Sequence, residues 1–140
     1  MRESRGLPQP ASLRLALTCE LGNVRGVAQT VRAFLAEQGC AEDHLIACEL
    51  ALVEACNNAI EHARGSETQQ PIRIEAACDH LEITLRITDH TRGFQWPERA
   101  AFPDPESEKG RGIPLIQSLM DEAAYLRSPG GNNLVLRKKR

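Results

Sequence analysis

The sequence predicts an α+β fold, a two-layer sandwich with helices on one face of a mainly antiparallel mixed sheet. Two observations support this prediction. Segments in which apolar and polar residues alternate come in neighbouring pairs, as in hairpins, and do not alternate singly with helices as in parallel sheets. Segments with helical periodicity separate these pairs, so the 140 residues give the order β-α-α-β-β-loop-α-β-β.

The first half of the chain holds one predicted strand and two predicted helices. Residues 12–21 alternate between apolar and polar side chains over several positions, which predicts a strand. Asn23 is a suitable N-cap for a helix that runs to Gln38 and stops at Gly39. A second and longer helix follows and reaches Arg64.

Two hairpins and one further helix are predicted in the second half. The strands are Pro71–Cys78 and Leu81–Asp89 around the turn Asp79-His80, then Ala123–Arg127 and Asn133–Lys138 around Ser128-Pro129-Gly130-Gly131. Residues 90–112 are rich in proline, glycine and charge and are too long for an ordinary connection, which indicates a functional loop or lid. The third helix is predicted to begin near Ile113, because Pro114 suits a first helical turn.

The composition is that of one soluble globular domain. The chain is 41% hydrophobic and 26% charged, and its net charge of −2 gives no electrostatic reason to expect nucleic acid or a membrane surface as a partner. No apolar run approaches the ~20 residues that span a bilayer, and the N-terminus lacks an apolar signal core, so we expect a cytoplasmic protein. We expect residues 1–11 to be a flexible tail and residues 12–140 to be the domain.

The cysteines indicate neither a zinc site nor a disulfide framework. They number five, which is odd, and no two of them form a C-x-x-C pair. Cys48 and Cys56 lie among aliphatic residues, so we expect them to be small core residues without a catalytic role.

The second predicted helix carries a polar stripe that suits a binding site. At about 100° per residue, Glu54, Asn58 and His62 lie on successive turns of one face, opposite an apolar face. Small residues adjoin the stripe at Ala47, Ala51 and Ala55, so a ligand would have close access to the helix. An Asn carbonyl oxygen suits magnesium, and a carboxylate one turn away is able to orient or deprotonate a hydroxyl. The stripe also fits the solvated face of an ordinary amphipathic helix, and both interpretations stay open at this point.

Two glycine-bearing segments extend this pattern. Asp89 and Gly93 follow a predicted strand, where a carboxylate is able to accept a hydrogen bond from an amine such as that of adenine, or to cap a turn. Gly110 and Gly112 lead into the third helix, whose free N–H groups would suit phosphate. No G-x-x-x-x-G-K-[ST] sequence is present, which excludes a P-loop.

Taken in order, these motifs resemble the N, G1 and G2 boxes of the GHKL ATPase superfamily. The resemblance covers the chain from about residue 12 to residue 138, and the segments Leu50–Ala63 and Gly110–Ile116 are similar to those of the small anti-sigma-factor-type serine/threonine-protein kinases. It implies a histidine-kinase-like ATPase domain with a Bergerat-type ATP-binding fold, and ATP with Mg²⁺ as its ligands.

The resemblance also implies a role for each matched residue. Asn58 would be the metal ligand for magnesium, and Glu54 would be the catalytic base or would position the attacking hydroxyl. Asp89 would accept the adenine amine, and Gly93 would let the backbone close around the base.

A larger set of residues is expected to contact the nucleotide. It comprises Asn58, His62, Asp89, Gly93, Lys109, Gly110, Arg111, Gly112 and Ile113. Within it, Gly110 and Gly112 would let the lid and the helix start wrap the phosphates, and His62 is expected to link the helix to the lid. Charge and position alone place Lys109 and Arg111 in the set, and both also fit solvated charges on a lid.

One position departs from the family pattern, because Thr91 stands where the first G1 glycine is expected. A β-branched residue resists positive φ. Either this loop therefore adopts an ordinary backbone conformation, or the adenine pocket is altered.

Two functions fit the sequence. The first is a kinase that transfers the γ-phosphoryl group of ATP to a serine or threonine of a small anti-anti-sigma (STAS-like) protein, sequesters a sigma factor or another regulator, or does both. The alternative is a non-catalytic, nucleotide-regulated module that binds a protein in a bacterial regulatory switch. Retention of Glu54 favours chemistry, because binding of adenine and magnesium alone would not require a base. The resemblance suggests a homodimer, and the chain lacks room for the dimerisation helices of a sensor histidine kinase.

Overall fold

The computed structural model describes residues 10–18, 21–63, 70–103 and 111–140. The helices and strands in these ranges follow the order predicted from the sequence. They are β1 Ala11–Leu17, α1 Val24–Glu37, α2 Glu42–Ala63, β2 Ile72–Cys78, β3 Glu82–Asp89, α3 Gly112–Leu119, β4 Glu122–Leu126 and β5 Asn132–Lys139, with a single 3₁₀ turn, Leu21–Asn23, before α1.

The strands form one sheet in the order β1-β2-β3-β5-β4. Each neighbouring pair is antiparallel, and Asp89 at the end of β3 lies opposite Asn132 at the start of β5. The predicted α+β fold is therefore confirmed. The sheet is antiparallel throughout its five described strands, where the sequence predicts a mixed sheet.

Alternation along the strands gives the sheet one apolar face and one polar face. The apolar face contributes Ile72, Ile74, Ala76, Cys78, Ile83, Leu85, Ile87, Leu134 and Leu136 to the core. Helix α2 contacts β2, β3 and β5, while α1 contacts β1 and α2, so the core lies between the helices and the sheet. Arg73 and Arg86 are exposed on the other face. Within the described ranges, no helix is long and apolar enough to cross a bilayer.

The start of the domain differs from its prediction in two respects. β1 begins at Ala11 and ends at Leu17, where its pairing with β2 also ends, and the 3₁₀ turn Leu21–Asn23 precedes α1. Ala11 therefore belongs to the sheet, while residues 1–9 of the predicted tail lie outside the described part of the chain. Asn23 does not cap α1 through its side chain, because its amide donates to the Thr18 hydroxyl instead.

The turn between β2 and β3 is built on Asp79. Its Oδ1 accepts the backbone N–H groups of Glu82 at 2.9 Å and Leu81 at 2.8 Å. Leu81 therefore belongs to the turn, and β3 begins one residue later than predicted. Both hydrogen bonds favour the ionised carboxylate, which lowers the pKa of Asp79 below its ordinary value.

Arg32 links α1 to α2 through two acidic residues. One terminal nitrogen donates to Glu49 Oε1 at 2.7 Å, and the other contacts Glu42. Glu49 points to the otherwise apolar side of α2, and its ion pair with Arg32 accounts for that position. Between the helices, Gly39 adopts φ +79°, as expected for a residue that stops a helix.

The four cysteines in the described residues are buried free thiols. Cys48 is 1% and Cys56 0% exposed, which confirms that both are core residues, and burial raises the pKa of each to about 12. The sulfur atoms of Cys40 and Cys78 lie 3.6 Å apart, and burial raises the pKa of Cys78 to about 11. These shifts disfavour the thiolate, so Cys48, Cys56 and Cys78 are not activated nucleophiles.

Lys138 of β5 closes the C-terminal end of α3. Its ammonium donates to the Leu119 carbonyl oxygen at 2.8 Å, one of the carbonyls that a helix end leaves without an internal partner. We expect Lys138→Met to lower the free energy of unfolding by about 1 kcal/mol, as measured by urea denaturation. Lys139→Met is the control, because Lys139 is exposed and bonds Asp121 through its backbone N–H. Equal losses in the two variants would contradict this assignment.

Candidate functional site

The N-terminus of α3 lies directly over the polar stripe of α2. A Cβ atom placed on Gly112 would lie 3.1 Å from Glu54 Oε1 and 3.4 Å from both terminal atoms of the Asn58 amide. Glu54 and Asn58 are each half-buried, whereas His62, the third residue of the stripe, is exposed. Residues predicted from separate motifs therefore meet at one place, where a carboxylate, an amide oxygen and a helix start converge.

The small residues beside the stripe have a different role from the one predicted. Ala47, Ala51 and Ala55 are all buried, and Ala51 has 0% of its surface exposed. Helix α2 packs against both α1 and α3 as well as the sheet. The alanines are therefore covered by the protein itself and do not give a ligand close access to the helix.

An aromatic cluster joins α2 to the loop that follows β3. The rings of His62 and Phe94 stack at 4.3 Å with an angle of 14°, and Phe94 contacts Tyr125 of β4 at 4.7 Å. Trp96 completes the cluster, with its ring 5.9 Å from that of Tyr125. His62 thus links the helix to the loop, as the sequence analysis expects, and its contact with a nucleotide stays a prediction.

Asp89 is a buried carboxylate at the end of β3, only 6% exposed. Its Oδ1 accepts three hydrogen bonds, from the Thr91 backbone N–H at 3.0 Å, the Thr91 hydroxyl at 2.8 Å and the Asn132 amide at 3.0 Å. Asn132 also donates to the Thr91 carbonyl oxygen at 2.8 Å, which ties the loop to β5. The carboxylate is therefore held in one orientation by its own loop and by the neighbouring strand.

The conformation of Thr91 decides between the two alternatives left open by the sequence. No non-glycine residue in the described ranges has a positive φ, so Thr91 adopts an ordinary backbone conformation. Its hydroxyl donates to Asp89 and accepts the Gly93 backbone N–H at 3.1 Å. Threonine is thus accommodated at the family's glycine position, and its hydroxyl becomes part of the structure around Asp89.

Tyr125 lies beside this carboxylate. Burial and then the negative charge of Asp89 raise the pKa of Tyr125 above its ordinary value. The Tyr125 hydroxyl is buried, and among the described residues it has no hydrogen-bond partner at an ordinary distance and angle. The backbone N–H of Phe94 lies close to it. The region around Asp89 therefore contains a carboxylate in a fixed orientation, which accepts hydrogen bonds, beside the aromatic ring of Tyr125.

Gly93 is required by its conformation and by its neighbours. It adopts φ +78°, and a Cβ would lie 3.0 Å from atoms of Arg127, Asn132 and Tyr125. We expect Gly93→Ala to lower the free energy of unfolding by about 1–3 kcal/mol, because a side chain in this conformation is strained and also displaces those atoms.

Gly26→Ala is the control for this prediction. Gly26 lies in α1 with open space around its Cβ position, so alanine there is expected to stabilise the helix by about 0.5–1 kcal/mol. The two variants should therefore shift the thermal midpoint in opposite directions. A stabilised Gly93→Ala protein would contradict this account of the loop.

The remaining predicted residues are only partly placed. Lys109 and Gly110 lie outside the described part of the chain. Arg111 is exposed immediately before α3, and Ile113 is half-buried in its first turn. The described residues include no group of three or more His, Cys, Asp or Glu side chains able to hold a metal.

Cavity volume does not identify this site. A surface cavity of about 470 Å³ lies on the exposed face of the sheet. A second, of about 380 Å³, lies beside α3 and β4, and a third, of about 350 Å³, lies between β1 and α1. Glu54, Asn58, Asp89 and Gly112 line none of these three.

Sequence reasoning missed two residues that surround Asp89. Asn132 lies between the predicted turn and the predicted strand Asn133–Lys138, and Tyr125 lies within the predicted strand Ala123–Arg127, where the pattern gives it no role. Neither carries a local signal, because each reaches Asp89 only through the strand order β3-β5-β4. Phe94 had a weak signal, since it directly follows Gly93 in the glycine-bearing segment.

Several curated proteins are similar to this chain in sequence. Curated relatives include the anti-sigma F factor of Clostridium perfringens, 27% identical over 133 residues, which covers 91% of this chain and 95% of that protein. The anti-sigma F factor of Anoxybacillus flavithermus is 31% identical over 98 residues, with 66% and 67% covered. Serine-protein kinase RsbW of Bacillus velezensis is 26% identical over 113 residues, with 74% and 71% covered.

Solved structures show the same fold. The RsbU and RsbW domains of Rv1364c from Mycobacterium tuberculosis match with a TM-score of 0.67 and 24% identity, over 93% of this chain and 33% of that one. The SiaB-SiaC complex from Pseudomonas aeruginosa matches with a TM-score of 0.61 and 12% identity, over 91% and 89%. At these identities the likeness concerns the fold alone.

The family itself follows from a match over most of the chain. The histidine kinase-like ATPase domain model matches residues 17–138, from the end of β1 into β5. The matched range contains the polar stripe of α2, the Asp89 loop and the start of α3. A match of this extent shows that the chain belongs to the histidine kinase-like ATPase domain family.

Proposed function

We propose that this protein is an ATP-dependent serine/threonine kinase of the anti-sigma-factor type, acting with magnesium. The convergence of Glu54, Asn58 and Gly112 carries the proposal, because it brings a carboxylate, an amide and a helix start within a few ångströms, and these groups would serve as base, metal ligand and phosphate site. Family membership and relatives named anti-sigma F factor and serine-protein kinase support it.

The residues present fit a magnesium nucleotide in their chemistry. Mg²⁺ retains several waters and takes few protein ligands beside phosphate oxygens, so one Asn oxygen is a sufficient donor without a cage of carboxylates. Asn58 would hold the ion, which when bound would neutralise charge on the phosphates. At Gly112 the missing side chain leaves space against Glu54 and Asn58 that a Cβ would fill, which suits the close approach of a phosphate.

The other residues would position the nucleotide and the attacking hydroxyl, and Glu54 would be able to deprotonate that hydroxyl. Glu54 would accept the proton of the attacking serine or threonine hydroxyl, or would orient that hydroxyl toward the phosphate. Asp89 would accept a hydrogen bond from the adenine amine. Arg111 and Lys109 would contribute positive charge near the phosphates, and Gly110 would allow the backbone to follow them.

The expected protein substrate is a small anti-anti-sigma (STAS-like) protein, and the expected binding partner is a sigma factor or another regulator. The name anti-sigma F factor supports a sigma factor as the binding partner, and the name serine-protein kinase supports a protein substrate with a reactive serine. We further propose that the protein acts as a homodimer in the cytoplasm. Size-exclusion chromatography with light scattering would test whether the dimer forms.

The test is a transfer assay with radiolabelled ATP and purified candidate antagonists that carry a STAS-like domain. The proposal predicts magnesium-dependent incorporation of one phosphoryl group on a serine or threonine, located by mass spectrometry. Binding of the antagonist with ATP but without transfer would instead support the non-catalytic module. Failure to bind ATP would overturn the kinase proposal itself.

A further inference from the structure

The clearest unassigned arrangement in the molecule is the hydrogen-bond network around one oxygen of Asp89. Three donors converge on Oδ1 at 2.8–3.0 Å, two from Thr91 and one from Asn132. A carboxylate oxygen offers about two lone pairs, so three donors saturate it. The terminal torsion of an Asp side chain is otherwise broad, and this network removes that freedom.

Each donor is itself held in place. The Thr91 hydroxyl accepts the Gly93 N–H at 3.1 Å, which directs its own proton toward Asp89. Asn132 is 3% exposed and uses its amide nitrogen twice, toward Asp89 and toward the Thr91 carbonyl at 2.8 Å. The network therefore connects β3, the loop and β5 through direct hydrogen bonds.

Threonine at this position adds a hydroxyl that glycine does not have. With glycine at residue 91 the carboxylate would lose its shortest contact, and the Gly93 N–H would lose its acceptor. The amide of Asn132 completes the arrangement from the opposite strand. The departure from the family pattern at residue 91 is thus matched by specific contacts, and does not disrupt the loop.

We propose that Thr91 and Asn132 are paired positioning residues that fix Asp89 so that its second oxygen, Oδ2, reads the exocyclic amine of a purine. This inference rests on the proposed function. When Oδ2 is held in one orientation, it accepts a hydrogen bond from the exocyclic amine of adenine. With guanine, the same oxygen would face the lone pairs of a carbonyl oxygen and would gain no hydrogen bond. A site that leaves a buried polar group unpaired rejects the wrong ligand strongly, so the orientation of Asp89 determines base specificity.

The test compares dissociation constants for ATP, GTP and the triphosphate of purine riboside, which lacks the exocyclic amine. Thr91→Val removes the hydroxyl at nearly constant shape, and Thr91→Ser retains it. We expect Thr91→Val to weaken ATP binding about tenfold, because the variant loses one hydrogen bond to a charged group. We also expect it to reduce the preference for ATP over GTP and over the triphosphate of purine riboside. Thr91→Ser should restore both.

Four further measurements separate positioning from a general structural effect. At saturating ATP, kcat of Thr91→Val should change much less than KM. Thr88→Val is the matched control, because its hydroxyl also donates to a neighbouring strand, at Asn133, but on the other face of β3. Asn132→Ala should reproduce the loss of selectivity, and the double variant with Thr91→Val should lose less than the sum, because both donors serve one oxygen.

The outcomes distinguish this inference from the proposed function. If the parent binds ATP with an adenine preference that Thr91→Val retains in full, the pairing proposal is wrong and the kinase proposal is untouched. If circular dichroism shows that Thr91→Val is unfolded, Thr91→Ser and Asn132→Ala become the deciding variants. Unaltered selectivity for ATP in Asn132→Ala would then overturn the proposal. If the parent binds no nucleotide, both proposals fail.

Discussion

Glu54→Gln is expected to retain ATP binding and to reduce phosphoryl transfer by at least about 100-fold, the usual contribution of a positioned general base. Glutamine keeps the shape of Glu54 beside Gly112 but cannot accept a proton. Single-turnover transfer to the antagonist protein measures the rate, and calorimetry with ATP measures binding. The two readouts together separate loss of a base from loss of the site.

Glu37→Gln is the control for this change, because Glu37 is an exposed carboxylate at the end of α1. It should transfer phosphate at the parental rate. A Glu54→Gln protein as active as the parent would remove Glu54 from the mechanism. A variant that loses ATP binding together with activity would make Glu54 a binding residue.

Asn58→Ala is expected to abolish magnesium-dependent ATP binding. Its amide lies next to Gly112 at the start of α3, with both terminal atoms 3.4 Å from the Cβ position of that glycine. Removal of even an outer-shell partner typically costs a metal site about 10- to 100-fold in affinity, so loss of the ligand should cost at least as much. Titration with ATP in the presence of Mg²⁺, and in its absence, measures the effect.

Asn57→Ala provides a control of the same chemistry on the adjacent residue. Asn57 is also half-buried on α2, but its position on the helical wheel suits the metal less well. It should keep the magnesium dependence of the parent. If Asn57→Ala loses that dependence while Asn58→Ala keeps it, the metal ligand has been assigned to the wrong asparagine.

Local patterns were sufficient to predict most of the fold. Alternation in Leu81–Asp89 and helical spacing in α2 depend on near neighbours in sequence, and the structure confirms both elements within a residue or two. Asn23 shows where this reasoning stops. Its residue type suits an N-cap, but the competing contact with Thr18 depends on how the chain turns after β1.

The site was predictable where one element carries it and less so where several elements meet. Helix geometry places Glu54 and Asn58 on one face, whereas the approach of Gly112 depends on how α3 packs against α2. Ala51 illustrates the same limit, since spacing identifies a small residue but not what covers it. Asn132 lies 43 residues beyond Asp89, and only the strand order brings them together.

The most direct test of the central claim is a calorimetric titration of the parent protein with ATP, with and without magnesium. A site formed by Glu54, Asn58 and the start of α3 predicts saturable binding that requires Mg²⁺. Absence of binding at millimolar ATP, or binding indifferent to Mg²⁺, would contradict the claim that this convergence is a magnesium nucleotide site.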